Sequence, residues 1–443
     1  MKKKLLWIVV PLLFVSCSGD NIVTDIPEQN PPSQSSYHVS QEQALENLNV
    51  FLNEMEPVGT RSSGGRRQVT MVETVSAPTV LTRSSGSDVD NLFYLVHFEN
   101  EEGYAVLAAD NRLESVLALT DAGTLTLEDF VEAQAPATRS DNIVPGVDDA
   151  DYFVPVAEGE EGKFIAGLLT DYAVIALLSR MCYCPDECLC GNCTCDGENE
   201  DRGEPGDDEA PSDSYYQYVE TVGPLIRNKW RPINSEGCWA VAIAQVCGYY
   251  RFPHSFNGHI YDWNEILEYR RIVANWFFES DETEEACRVL LEDVSQATNA
   301  RSGGTATDAG KGMGCLGFVN IDINRNYNEG AIVTMLRQGK PVPFRGKRNG
   351  FLGIDQGGHA WVIDGFKRVK DLNNRYPDKY YVHCNFGWSS GNHDGYYYSG
   401  SFKLGYKVLT YERDLLEGPS DQNHGYYGRD YSEAHAYINY DLP

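Results

Sequence analysis

Three segments in the C-terminal half carry residues able to do covalent chemistry on a carbonyl. The first runs Ser235-Glu236-Gly237-Cys238-Trp239-Ala240-Val241-Ala242-Ile243-Ala244-Gln245-Val246. Its Cys follows a Gly and opens a run of small and apolar residues long enough for a buried helix. A thiol at a helix N-terminus sits in positive potential, which favours the thiolate. The second runs Gln356-Gly357-Gly358-His359-Ala360-Trp361-Val362-Ile363-Asp364-Gly365. Two glycines precede a His that opens a strand, so a substrate backbone can pass close to Gly358. The third, Tyr381-Val382-His383-Cys384-Asn385-Phe386-Gly387-Trp388, is a strand ending in Asn and aromatics. In that chain order Cys238, His359 and Asn385 can act as nucleophile, acid/base and imidazole orienter, with the Trp388 indole shielding the orienting hydrogen bond from water. Alone, each residue has an ordinary structural role: buried thiol, structural His, turn Asn. The ordered combination in an exported chain is what points to catalysis.

These segments need elements to position them. From Tyr215 onward the sequence is rich in Tyr, Trp and Gly, with apolar runs at 238–247, 331–336 and 359–366, and this predicts a domain over 215–443. Upstream, Ser40 starts a helix over 40–54 with Ala44, Leu45, Leu48, Val50, Phe51 and Leu52 at helical spacing. Strand signals follow at 92–98, 103–108 and 115–119, separated by turns, and a helix is predicted near 163–180. This is a small α+β unit with an antiparallel sheet, spanning 37–180. The two TRSSG stretches, at 60–64 and 82–86, read as polar loops.

The 443 residues accommodate several domains, and 42% hydrophobic with 23% charged content marks the bulk as globular. Lys plus Arg number 36 against 65 Asp plus Glu, a net charge of −29, which argues against nucleic acid or an anionic membrane surface as an electrostatic partner. Residues 1–16, MKKKLLWIVVPLLFVS, place three lysines before an apolar run too short to span a bilayer comfortably, the layout of a secretory signal. The run ends at Ser16-Cys17 and resembles a bacterial lipobox, so Cys17 is the expected lipid attachment point and 17–36 a Pro- and Ser-rich tether. The chain is then expected to be exported and anchored at the cell envelope or surface, with release on maturation.

Between the two units, 181–214 departs in composition. CYCPDECLCGNCTC at 182–195 is followed by a strongly acidic stretch that should not fold alone. Disulfides are the first reading of these six cysteines, metal binding the second. The maturation cut is expected here, at an exposed joint between domains. Elsewhere no metal-ligand spacing, P-loop or dinucleotide fingerprint occurs, and no cofactor is expected. Asp308, Asp355 and Asp364 have no metal-like spacing, His254 and His259 read as solvated loop residues, and Cys247, Cys287, Cys315 and Cys384 as buried thiols.

At the chemical residues the sequence resembles the streptopain family of papain-like cysteine peptidases. The matching patterns are GCWAVAIAQV, GGHAWVIDGF, and NFGW followed by GYYY, with VGPLIRNKW and GKPV as further matches. VSQEQALENLNVFLN and GYAVLAADNRLESVLAL are similar to that family's propeptide, which shares its fold with streptopain inhibitors. The resemblance implies an α+β protein, with a papain-like catalytic domain made of a helical part and an antiparallel β-sheet part behind an α+β propeptide domain. It implies a zymogen whose own propeptide is its intramolecular inhibitor and whose substrates are proteins or peptides, with Cys238, His359 and Asn385 catalytic. Two departures matter. The family's upstream W-x-Q-x-P is replaced by Trp230-Arg231-Pro232-Ile233-Asn234, which leaves Asn234 to complete the oxyanion hole, since Gln245 lies about 10 Å along a helix from Cys238. The Trp expected after Asn385 is Phe386. These departures keep open a second reading, a weakly active or inactive homologue serving as a protein-binding or inhibitory surface lipoprotein. A third retains the nucleophile but transfers the acyl group to an amine.

Overall fold

The computed structural model describes residues 37–55, 67–78, 89–134, 155–180, 216–273, 276–278, 280–302, 304–348, 357–371, 377–388, 393–402, 407–410, 427–430 and 435–443. The predicted signal, Cys17 and its tether, both TRSSG loops, Asp355 and the Cys-rich linker lie outside the described residues.

Helix α1 (Gln41–Met55) starts where Ser40 Oγ accepts the Gln43 N–H at 3.1 Å. Ala44, Leu48, Phe51 and Leu52 recur on one face and are buried against the sheet. Strands β1 (Val69–Ser76), β2 (Asn91–Phe98), β3 (Tyr104–Ala108) and β4 (Val116–Thr120) pair antiparallel in sequence order, followed by α2 (Leu127–Gln134) and α3 (Glu161–Arg180). The apolar runs of β2 and β3 are continuous because both faces are covered. Tyr94, Val96 and Phe98 pack with α1, while Leu92, Phe93 and Leu95 pack with α2 and α3.

The second unit opens with β5 (Tyr216–Val222) and α4 (Cys238–Tyr250), whose residues Trp239–Gly248 are buried all round. Two small hairpins, β6 (Ser255–Phe256) with β7 (His259–Ile260) and β8 (Arg271–Val273) with β9 (Trp276–Phe278), flank α5 (Trp263–Glu268). Helices α6 (Asp281–Thr298) and α7 (Ala306–Cys315), each started by a capping box, precede β10 (Val319–Asn324) and α8 (Glu329–Arg337). Then come β11 (Val342–Lys347), β12 (Gly358–Asp371), β13 (Lys379–Asn385), β14 (Gly395–Tyr398), the pair β15 (Lys407–Thr410) and β16 (Tyr427–Asp430), and β17 (His435–Asp441).

The sequence predicts two globular units joined by a linker. The sheet instead runs through both, in the order β1-β2-β3-β4-β14-β13-β12-β11-β17-β10 with β5 added on β12. Its seam is the antiparallel pair β4–β14, with Thr120 opposite Gly395 and Ala118 opposite Tyr397. One hydrophobic cluster accordingly contains Phe130 and Phe164 of the N-terminal unit together with Trp239 and Trp361 of the second. No helix among the described residues is long and apolar enough to cross a membrane.

Candidate active site

Gly237 caps α4 at φ 94°, and a Cβ there would meet the Ala300 carbonyl oxygen at 2.4 Å. A glycine is therefore required to turn the chain into the helix at Cys238. Ahead of it, the buried Glu236 carboxylate accepts the N–H groups of Ile233 (2.8 Å) and Asn234 (2.8 Å), and Ser295 Oγ donates to the Glu236 carbonyl at 2.5 Å. This loop fixes the approach to the thiol. Asn234 itself is exposed, and among the described residues no hydrogen bond joins its carboxamide to Cys238.

Cys238 is half-buried. Burial pushes its thiol up to about 11, although N–H groups of Ala360 and Trp239 and the Arg345 charge favour the thiolate. Ala360 neighbours His359 on β12, opposite Arg345 on β11, and Cys238 packs against the cluster that contains Ala360 and Trp361. His359 is buried and lies opposite Gly346. Burial pulls it down to about 4, against the raising effect of the Phe386 carbonyl, which accepts from its Nε2 at 2.7 Å. That bond puts the ring proton on Nε2 and leaves Nδ1 as the basic nitrogen. Burial thus works against charge on both Cys238 and His359 in this state.

The expected hydrogen bond between Asn385 and His359 is not formed. Asn385 Nδ2 donates to the Asn228 carbonyl at 3.3 Å, and its Oδ1 is buried without a hydrogen-bond partner. Strand register explains this: Asn385 lies opposite Val362 on β12, three residues past His359, so it is the chain beyond Asn385 that reaches the imidazole. Phe386 offers its carbonyl and Trp388 its ring, which stacks on His359 at 4.3 Å and on Phe386 at 4.7 Å. The Phe386 N–H donates to Asp394 Oδ1 at 2.7 Å, and Lys229 Nζ donates to Asp394 Oδ2 at 2.7 Å. Lys229 and Asp394, neither singled out by sequence reasoning, hold the segment that holds the imidazole.

The N-terminal unit closes the site. Val156 N–H donates to the Gly358 carbonyl at 3.1 Å, so backbone from the N-terminal unit occupies the strand edge beside His359. Phe164 on α3 sets its ring edge against His359 (6.4 Å), Trp388 (6.3 Å) and Trp361 (6.5 Å). Phe164 is itself buried, and its crowding contributes to the burial that keeps His359 uncharged.

A second contact between the units is ionic. Buried His383 on β13 binds Asp364 Oδ1 through Nδ1 at 2.6 Å and faces Asp121 Oδ2 at 3.5 Å through Nε2, while Arg67 lies 3.3 Å from Asp121 Oδ1. Burial alone would discharge His383, but the two carboxylates outweigh it and push the imidazole up to about 9. The resulting stabilisation is fully present below the free value of about 6.5 and is lost as pH rises through 9. The denaturant midpoint of the full chain should therefore fall further between pH 7 and 10 in wild type than in Asp121→Asn. An equal fall in both would show that His383 does not couple the units.

Among the remaining candidates, His259 is bound to Asp293 at 2.7 Å and Asp308 serves a capping box on α7. Cys247, Cys287 and Cys384 are buried as predicted, but Cys315 is exposed because α7 ends there. Among the described residues no group of three or more His, Cys, Asp and Glu could hold a metal ion.

Residues 213–397 match the Peptidase C10 family and residues 36–135 the Spi protease inhibitor family. Among solved structures, the chain is similar to a Prevotella intermedia prointerpain A fragment carrying a Cys-to-Ala substitution, at 14% identity over 83% of this chain and 98% of that one, TM-score 0.47. It is also similar to the active wild-type Prevotella intermedia interpain A cysteine protease, at 21% identity over 52% of this chain and 97% of that one, TM-score 0.34. No curated protein matches. The chain carries a peptidase C10, or streptopain-family, domain behind a Spi-type inhibitor propeptide domain, and is the zymogen of a cysteine-type peptidase.

Proposed function

We propose that the matured protein is an endopeptidase that cleaves protein substrates through Cys238 and His359 by way of a thioester. The observation that carries this reading is the packing of Cys238, at the start of α4, against the cluster that contains Ala360 and Trp361, the neighbours of His359 on β12. With α3 and Phe164 removed, the site hydrates and the desolvation opposing charge on both groups falls. The thiol proton passes to His359 Nδ1, because Nε2 is held by the Phe386 carbonyl. The thiolate attacks the substrate carbonyl carbon, and the oxyanion forms beside the α4 N-terminus, where Cys238 N–H and the exposed Asn234 side chain are the candidate donors. The C–N bond then breaks as Nδ1–H protonates the leaving amine. Water, deprotonated by Nδ1, attacks the thioester and releases the acid and the thiol. Trp388 covers the Nε2–carbonyl bond, and Asn385 supports that segment through Asn228. The matured protein should hydrolyse unfolded casein, and one-to-one alkylation of Cys238 by an epoxide should end the activity. Hydrolysis that survives complete labelling would refute the assignment.

The reading as a weakly active homologue draws on the unpaired Asn385 Oδ1 and the solvent-exposed Asn234. Measured thiol reactivity, taken up in the Discussion, separates the two.

We further propose that Cys17 is lipidated, which anchors the zymogen at the envelope, and that maturation cuts within 181–214 and releases the peptidase. The support is the short apolar run ending at Ser16-Cys17 and the acidic linker between the two matched domains. Mass and N-terminal sequencing of the protein over time should give a blocked, lipid-bearing Cys17 start, then a first residue between 181 and 214. An unmodified Cys17, or a mature start outside that window, would overturn the corresponding step.

A further inference from the structure

Arg348 follows β11, and its N–H donates to the Gly357 carbonyl at 2.9 Å, which extends the β11–β12 ladder past the pair Lys347–Gly358. It therefore sits two residues along the strand from Gly346, the partner of His359. Its side chain is 3% exposed. The hydrogen-bond partners of its guanidinium among the described residues all come from the N-terminal unit. Nε donates to Asp171 Oδ2 at 3.1 Å, and Nη2 donates to Asp171 Oδ1 at 3.5 Å and to the Ala133 carbonyl at 3.1 Å. Gly167 makes room, since a Cβ there would lie 1.8 Å from Arg348 Cζ.

Phe164, Gly167 and Asp171 fall at i, i+3 and i+7 of α3, on one face. That face lays Phe164 on His359 and Trp388 and, about 10 Å further along, Asp171 on Arg348. About 10 Å is the reach of three residues of extended chain. The Val156–Gly358 bond shows that extended backbone fits the edge between these points.

Loss of the propeptide takes away both Asp171 and Ala133 and leaves a fork-shaped donor set beside the strand edge at Gly358. A guanidinium in that position pairs bidentately with a carboxylate and much more weakly with a carboxamide. We propose that Arg348 is a specificity residue of the matured peptidase. It selects Asp or Glu two to three residues from the scissile bond, and Asp171 occupies that subsite in the zymogen. The inference rests on the peptidase reading above.

The test uses protein matured from the full chain and fluorogenic peptides that differ only by Asp or Glu against Asn or Gln at each of three positions on either side of the scissile bond. One position should favour the carboxylate by about 10- to 100-fold in kcat/KM. The ratio should fall to about one in Arg348→Gln and stand between in Arg348→Lys, which keeps the charge but not the fork. A second arm does not depend on turnover: matured wild type with its thiols blocked by iodoacetamide is titrated with the same peptides by fluorescence anisotropy. The acidic peptide should bind tighter than its amide twin, and a preference in this arm supports the subsite whatever the peptidase assay shows. No carboxylate preference in wild type in either arm, or a preference undiminished in Arg348→Gln, would overturn the proposal. The wild-type comparison needs no variant to fold.

Discussion

Cys238→Ala is expected to lower peptide hydrolysis by the matured protein at least about 10⁴-fold while leaving the unfolding midpoint of the full chain nearly unchanged. The change removes one sulfur from a half-buried position at the start of α4 and replaces it with the best helix former, so packing and helix stability are kept. What goes is the atom that bonds the acyl group, and without it the water attack has no covalent intermediate to share the barrier. His359→Ala should be comparably damaging because thiol and imidazole act as one unit, and losses within such a unit do not add. Asn385→Ala should cost less than about tenfold, since its amide meets the Asn228 carbonyl and not the imidazole. Replacing Phe386 leaves the carbonyl that holds His359 in place, so Phe386→Trp should be tolerated. Activity of Cys238→Ala near that of wild type would sink the mechanism. A loss in Asn385→Ala as large as in His359→Ala would mean that the matured site re-forms the Asn–His bond absent here.

The local parts of this site were legible in the sequence because each carries its own pattern. An apolar run behind Gly237 can only be a buried helix, and the glycines before His359 open a strand whose interior is apolar. Three of the four strands and the two long helices of the N-terminal unit followed from period and turn signals in the same way, whereas β1 and the short α2 did not. Quantities set by long-range pairing were not legible. Asn385 looks adjacent to the imidazole in motif order, yet the β12–β13 register puts it opposite Val362 and hands the contact to Phe386. A register cannot be read from one strand alone. The β4–β14 seam, and with it the contacts of Phe164, Asp171 and Asp121 on the peptidase, depends on two segments some 275 residues apart, which neither announces. A signal for the ionic network did exist: Asp364 and His383 stand at interior positions of apolar strands, where a charge must have a partner. Lys229 and Asp394 gave no such sign, because a Lys before a Trp and an Asp before a Gly are ordinary at loop ends.

The uncut chain should be almost inert to thiol reagents at Cys238, and maturation should raise its alkylation rate at pH 7 by about 10³-fold. A thiol pushed up to about 11 is roughly 10⁻⁴ ionised at pH 7, and the thiolate is the reacting form. The causes of that shift are removable. Burial dominates it, and Phe164 on α3 packs the aromatic cluster around the neighbouring imidazole. The groups that favour charge, which are the Ala360 and Trp239 N–H donors, the α4 N-terminus and Arg345, belong to the peptidase domain and stay after the cut. With His359 hydrated and able to accept a proton, the pair can ionise together and bring the thiolate to a substantial fraction. The gain is set somewhat below the full 10⁴ because a thiolate of lower pKa is a weaker nucleophile. The rate must be read at Cys238 by peptide mass, since exposed Cys315 reacts in both forms. Phe164→Ala in the uncut chain should move the rate part of the way, by about tenfold, through partial hydration of the same cluster. Slow labelling before and after maturation would favour the inactive-homologue reading over the peptidase. Fast labelling before maturation would show that α3 does not suppress the nucleophile, and that the propeptide inhibits only by occupying the strand edge at Gly358.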